Sequence, residues 1–337
     1  VRVLISGGSG YIGSHTVAKL LAAGHKPRLL VRDPGRAARV LETVGVDSAQ
    51  VDFTVGDIRD ADAVERALAG CDATIHAAAA IAGSGAALVE ANVTGTENIV
   101  GGSVRHGLDP VIHVSTVAVF VPPSAPVITP DAPLASPRTA YGRSKAQAER
   151  LVRRLQDEGA PITVLYPGGV IGPHQPNLDA MMQGLVSGLQ QGWGVSSGGV
   201  ALVDVRDVAT ALVAALSPDR GARRFLLGGH FLTWPEMVAL CDELTGRPCK
   251  AISVPAWALR GIGSLLDLAK RVRHFDYPLS RDAADIMTTM VRTDDEPTLR
   301  ALGIGLLPVR QSVEDSLRWL AAAGHLDHAA AGRLAPT

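Results

Sequence analysis

Val1-Arg2-Val3-Leu4-Ile5-Ser6-Gly7-Gly8-Ser9-Gly10-Tyr11-Ile12-Gly13 opens the chain. An apolar run of strand length passes directly into a glycine-rich turn, and the residues after the turn read as a helix. Gly7 suits the tight turn, Gly10 lets backbone approach a ligand, and Gly13 lets the helix pack close to the strand. A helix start offers free N–H groups and a positive dipole end, which suit phosphate. Ser9, Tyr11 and Ile12 share this reading as part of a dinucleotide pyrophosphate site.

A second motif, Tyr141-Gly142-Arg143-Ser144-Lys145, sets a phenol and an ammonium four residues apart, on one face of a helix. A nearby cation favours the phenolate, so the tyrosine is expected to exchange protons close to neutral pH. Each motif alone is weak. In this order, with a strand ending Val114-Ser115-Thr116 between them, they predict a nicotinamide-dependent enzyme.

Short apolar runs alternate with helical stretches over the first two thirds of the chain. Leu29-Leu30-Val31, Phe53-Thr54-Val55, Thr74-Ile75-His76, Val111-Ile112-His113-Val114 and Ile162-Thr163-Val164-Leu165 read as buried strands. Residues 61–69 and 88–106 read as helices. The expected fold class is therefore α/β: a doubly wound parallel sheet of Rossmann type with a smaller, discontinuous C-terminal lobe. The expected division is 1–167 plus about 200–231 for the dinucleotide domain, and about 168–199 plus 232–337 for the substrate lobe, with Val203–Leu216 returning to the main sheet.

The two motifs together resemble the short-chain dehydrogenase/reductase superfamily, in its extended branch. That branch includes nucleotide-sugar epimerases, dihydroflavonol reductases and 3β-hydroxysteroid dehydrogenases. Gly7, Gly10 and Gly13 keep its glycine spacing, with Ser6 where threonine is more usual. The resemblance runs from Val1 to about Pro173, with an echo at Val203–Ala209. It implies Tyr141 as catalytic acid, Lys145 as the cation that lowers its pKa and bonds the nicotinamide ribose, and Thr116 as the hydroxyl on the substrate oxygen. Ser115 is the alternative hydroxyl, because Phe120-Val121 departs from the family's Tyr-Gly and loosens the register. No metal is implied.

The same resemblance implies the cofactor contacts. Asp57 would bond the adenine amine with Ile58 against the ring, and Ala77, Ala78 and Ala79 would let the cofactor lie against the fourth strand. Pro167, Gly168 and Val170 would meet the nicotinamide carboxamide, and Asn92 has a mainly structural role. Val31-Arg32-Asp33-Pro34-Gly35-Arg36 resembles the segment of NADPH-using reductases, with Arg32 and Arg36 on a 2′-phosphate. Asp33 would either cap the next helix or bond a ribose hydroxyl. NADP(H) is favoured, and NAD(H) is the alternative.

The 32 basic and 33 acidic residues leave no electrostatic footprint for nucleic acid. Three cysteines, Cys71, Cys241 and Cys249, form no metal or disulfide pattern, which suits a reducing cytoplasm. The first residues are already strand, so no signal peptide is expected ahead of them, and no run is apolar enough to span a membrane. Leu259, Ile262, Leu266 and Ala269 recur at helical steps within 256–269. They read as a helix packed on its own lobe, with a substrate-pocket wall or a membrane-surface contact as alternatives. Six prolines between Phe120 and Arg138 favour extended chain along one wall of the active site. Gly192–Gly199 reads either as a mobile rim or as an ordinary hairpin. His76 reads as a packed strand residue and His174 as a solvated loop residue.

Three functions compete. One is an NADP(H)-dependent oxidoreductase that interconverts a carbonyl and a secondary alcohol on an apolar small molecule. The second is a nucleotide-sugar epimerase or dehydratase with tightly held NAD. The third is a non-catalytic protein that kept the fold. By the same resemblance a homodimer is expected, formed through the helices at 88–106 and 140–155.

Overall fold

A computed structural model describes residues 1–80, 85–137, 140–272 and 279–336. Arg138, the end of the proline-rich stretch, lies outside them. The first half alternates as expected: β1 (Arg2–Ser6), α1 (Tyr11–Ala22), β2 (Lys26–Val31), α2 (Pro34–Thr43), β3 (Asp52–Val55), α3 (Ala61–Leu68) and β4 (Ala73–His76). Then come α4 (Gly85–Thr96), a wider helical turn over Glu97–Gly101, α5 (Gly102–Arg105) and β5 (Val111–Val114). Side chains start the helices where the sequence offers them. Asp33 caps α2 with Pro34 behind it, and Asp60 caps α3.

After β5 the chain runs through β6 (Val127–Ile128), α6 (Ala140–Asp157) and β7 (Ile162–Pro167). Seven strands form one parallel sheet in the order Arg223–Leu227, β7, β5, β4, β1, β2, β3. Order reverses between β1 and β4, where such sheets hold ligands. Alternate strand residues enter opposite cores: Leu4 and Val111 pack on one face, and Val3, Ile5, Ile112 and Val114 on the other. Burial of each large aliphatic side chain contributes about 1.5–3 kcal/mol, which makes a one-residue slip of register prohibitive.

The remaining chain forms β8 (Gly169–Ile171), α7 (Ala180–Gln190), β9 (Trp193–Val195), β10 (Gly199–Asp204), α8 (Val205–Ala214), β11 (Arg223–Leu227) and β12 (His230–Thr233). It continues through α9 (Trp234–Thr245), β13 (Ala251–Ser253), α10 (Ala256–Val272), α11 (Arg281–Thr289), β14 (Arg292–Thr293), α12 (Glu296–Leu302) and α13 (Val309–Ala322). β12, β10 and β8 make a separate three-stranded sheet. Val203 and Asp204 therefore end a strand of this small sheet and do not enter the main one. The return to the main body is made by α8, which packs on α1, and by β11 beside β7.

One loop expectation is corrected, and the extended chain expected of the prolines holds a strand. Gly192–Gly199 is neither rim nor hairpin, because Trp193–Val195 pairs in parallel with Ala251–Ser253 and Trp193 is buried near Trp234. The proline-rich stretch contains β6, which pairs with β14. The helix at 256–269 exists as α10, but of its periodic apolar residues only Leu259 is fully buried, and Ile262 and Ala269 face outward.

Candidate active site

The carboxyl ends of β1 to β4 open into a cleft of about 550 Å³. Gly7, Ser9 and Gly10 form its floor, Arg32 and Arg36 stand at the end of β2, and Asp57 and Ile58 follow β3. Ala77, Ala78 and Ala79 continue it past β4. Gly7 has φ +81, and a Cβ there would lie 2.6 Å from the Ala78 backbone nitrogen, so only glycine fits this crossing. A Cβ on Gly13 would run into the Gly7 carbonyl, which accounts for the third glycine. α1 begins after Gly10 with no side chain capping it, so its first N–H groups stay available for an anion. The residues present fit a dinucleotide.

Tyr11, Ile12 and Gly13 lie behind the turn and are not among the walls of this cleft. The Tyr11 hydroxyl is buried without a hydrogen-bond partner, and burial raises its pKa well above the usual phenol range. Pro167 in β7, Val170 in β8 and Gly168 between them also stand outside the walls; Gly168 donates its N–H to the Leu227 carbonyl at 3.0 Å.

Of the two roles the sequence allows Asp33, its bond shows the cap. Asp33 accepts from the Arg36 backbone N–H at 2.9 Å as the cap of α2, and it does not line the cleft. Asp57 does line it, the capping of α3 being left to Asp60. Asp57 holds the Arg59 guanidinium at 2.9 and 3.0 Å, and that bond lowers its carboxyl pKa. Arg36 has a partner from the other side. Asn177, its amide turned to satisfy both neighbours, accepts from Arg36 Nη2 at 3.0 Å.

Tyr141 and Lys145 share one face of α6, which packs against α4. Asn92 on α4 fixes this packing. Its amide accepts from the Ala80 N–H at 2.7 Å and donates to Ser144 Oγ at 2.8 Å, and Ser144 Oγ donates to the Tyr141 carbonyl at 2.7 Å. The Lys145 ammonium is buried and donates to the Val114 carbonyl at 3.1 Å, at the end of β5. Thr116 Oγ1 accepts from the Ala118 N–H at 3.2 Å, which leaves its own proton to donate elsewhere. Ser115 is buried, with its hydroxyl unpartnered.

The expected lowering of the Tyr141 pKa is not what the protein alone shows. Burial pushes this phenol up to about 12, with the Asp179 carboxylate adding to the rise. Burial also pulls Lys145 down to about 8. Desolvation is the leading cause of both shifts.

Two residues escaped the sequence reading. His113 on β5 lies opposite His76 on β4, ring centroids 5.4 Å apart, with both His113 nitrogens unpartnered. His76 is bonded to Ser6 at 2.6 Å and Thr96 at 3.1 Å, as suits a packed strand residue. Burial drives both imidazoles towards the neutral form, His76 down to about 3. Asp179 caps α7 by accepting from the Met182 N–H at 3.0 Å, and an acid ahead of the apolar run 180–190 was the available signal. His174 is exposed, at φ +62, on a separate cavity of about 330 Å³ with Arg36, Arg39 and Trp319.

A parallel sheet with a glycine-floored cleft at its switch point defines a dinucleotide-dependent enzyme. The chain belongs to the NAD dependent epimerase/dehydratase family, within the extended short-chain dehydrogenases/reductases, and the family profile matches residues 3–228. It is 27% identical over 339 residues to sterol demethylase protein B of Methylococcus capsulatus, covering 95% of this chain and 98% of that one. It is 28% identical over 335 residues to a 4-hydroxy-2-methyl-3-oxo-4-farnesyl-3,4-dihydroquinoline-1-oxide ketoreductase of Stigmatella aurantiaca, covering 96% and 98%. A solved UDP-glucose 4-epimerase from Bifidobacterium longum, in complex with NAD+ and UDP, superposes with a TM-score of 0.71 at 21% identity, over 96% of this chain and 99% of that one. Among the described residues no helix is long and apolar enough to cross a membrane.

Proposed function

We propose that this enzyme is an NADP(H)-dependent oxidoreductase that interconverts a carbonyl and a secondary alcohol on an apolar small molecule. The observation that carries the cofactor choice is the division of labour after β2. Arg32 and Arg36 line the cleft, while the one acid able to read a ribose hydroxyl there, Asp33, is engaged as a helix cap. The relatives matched end to end, named for sterol demethylation and for ketoreduction of a farnesyl-bearing ring, support an apolar substrate.

When bound, the nicotinamide cofactor supplies or accepts the hydride. Tyr141 holds the proton that the substrate oxygen receives. A phenol that rests protonated at neutral pH is set to donate its proton when the carbonyl is reduced. The free O–H of Thr116 bonds and orients the same oxygen. Lys145, still largely an ammonium below its pKa of about 8, steadies charge on the phenol oxygen once the proton has left. Buried, neutral His76 and His113 keep competing charge away from this corner.

The rival is an epimerase that retains NAD and returns the hydride to its own substrate. Mass spectrometry of nucleotide released on denaturing the purified protein separates the two. The oxidoreductase reading expects little retained nucleotide, and NADP in what remains. One NAD per chain would overturn it.

A further inference from the structure

α10 is built inside out. Trp257 is 77% exposed, Leu265 68%, Leu268 57%, and Ile252 on the neighbouring β13 69%. From Trp257 to Leu268 these helix positions fall within one arc of the helical wheel, with Gly261 and the exposed Ile262 beside them. None of the exposed positions between Ala256 and Lys270 carries a charge. The charged side chains turn inward instead. Arg260 pairs with Asp285 at 3.1 Å, Asp267 accepts from the Arg281 N–H at 2.9 Å, and Lys270 donates to the Leu279 carbonyl at 3.4 Å. A helix that shows its apolar side to water needs an occupant for that face.

The occupant is identified by what the face lacks. Its one hydroxyl, Ser264, is used within the helix on the Arg260 carbonyl at 2.9 Å. A protein partner ordinarily brings about one hydrogen bond per 100–200 Å² and about 800 Å² per side. Beyond the open backbone edge of β13 and its Ser253, the helix face itself offers the Trp257 indole N–H alone for such bonds. A lipid surface needs none. Charge agrees: with Arg260 and Lys270 engaged inward, the exposed charges of 247–270 are Arg247 and Lys250, both basic, in a chain whose net charge is −1. Arg247 and Lys250 are exposed on the segment that leads into β13 and Ile252, where anionic headgroups would lie. An amphipathic indole such as Trp257 suits the boundary between headgroup and acyl chain.

We propose that α10, with Ile252, is a docking face for an anionic lipid surface. It is the surface side of a packed pair of helices: α10 packs on α11, and Asp282 of α11 sits against Gly142 on the helix that bears Tyr141, 3.3 Å from where a Cβ would be. Docking would bring the mouth of the site to the layer that dissolves apolar molecules. The proposal stands apart from the reading of the reaction, because each readout is of binding.

The test is flotation of the full chain with vesicles of phosphatidylcholine containing about 30% phosphatidylglycerol. The wild type is expected to float with them, less well with phosphatidylcholine alone and less well in high salt. Leu265→Ser with Leu268→Ser should weaken flotation at least about tenfold, with cofactor binding and far-ultraviolet dichroism unchanged. Brominated acyl chains should quench part of the wild-type tryptophan emission and lose that component in Trp257→Phe. This second measurement stands even if the double variant fails to fold. Failure of the wild type to float, equal flotation by a folded double variant, or quenching unaffected by Trp257→Phe overturns the proposal. A double variant that turns an oligomer into monomers, with no vesicle binding by the wild type, would make the face a contact between copies.

Discussion

At Tyr141 burial and the Asp179 carboxylate both raise the phenol, and one helical turn along burial lowers the Lys145 ammonium. The phenol at about 12 and the ammonium at about 8 each move towards the neutral form, as desolvation demands. Tyr141→Phe removes only the hydroxyl, so cofactor affinity is expected to stay within about threefold while turnover falls by at least about a hundredfold. Steady-state rates with an accepted carbonyl substrate, beside a cofactor titration, check this; more than about a tenth of wild-type turnover would remove Tyr141 from the acid's role. Residue types and spacing made two placements legible in the sequence, Tyr141 and Lys145 on one face of α6 and the glycine turn between β1 and α1, since local chemistry sets their positions. Asp33 was legible only as a choice between cap and ribose ligand, because its nearest donor is a backbone N–H that a sequence does not place. His113 was illegible as a partner of His76, because their facing depends on the register of β4 against β5.

Elements followed the sequence where one face had to be buried. The parallel strands announced themselves as continuous apolar runs. Prediction failed where pairing is made by distant chain. The Gly192–Gly199 segment looks like a loop until β13 supplies its partner strand. α10 shows a second limit: periodicity says that a helix has an apolar side but not which way that side turns. α4 and α6, packed on each other and pinned by Asn92, are the helices expected to meet their copies across a two-fold axis. Light scattering is expected to give twice the chain mass. A mass of one chain at every concentration would rule the pairing out.

Across the whole molecule, buried neutral histidines tie stability to pH. His76 at about 3 and His15 at about 4 lie below the ordinary 6.5, and burial lowers His113 as well. The unfolded chain therefore binds protons that the folded chain refuses, so this stability is fully present above about pH 6.5 and declines as pH falls towards about 4. Calorimetry should find Tm lower by at least about 4 °C at about pH 5 than at about pH 7. A flat profile would mean these imidazoles bind protons in the fold. The cofactor cleft is also a property of the whole, since β1 to β4 build it and Asn177 from beyond β8 reaches Arg36 at its rim. A charge-assisted contact from Arg32 to a 2′-phosphate, absent with NAD(H), is worth about 1.5–3 kcal/mol, or roughly tenfold to a hundredfold in affinity. Titration of the free protein with NADPH and NADH, followed by quenching of intrinsic fluorescence, tests this most directly. NADPH should bind more tightly by about that factor, and Arg32→Ala should narrow the gap by weakening NADPH alone. Equal affinities in the wild type, or a preference for NADH, would contradict the account and favour an enzyme that keeps NAD.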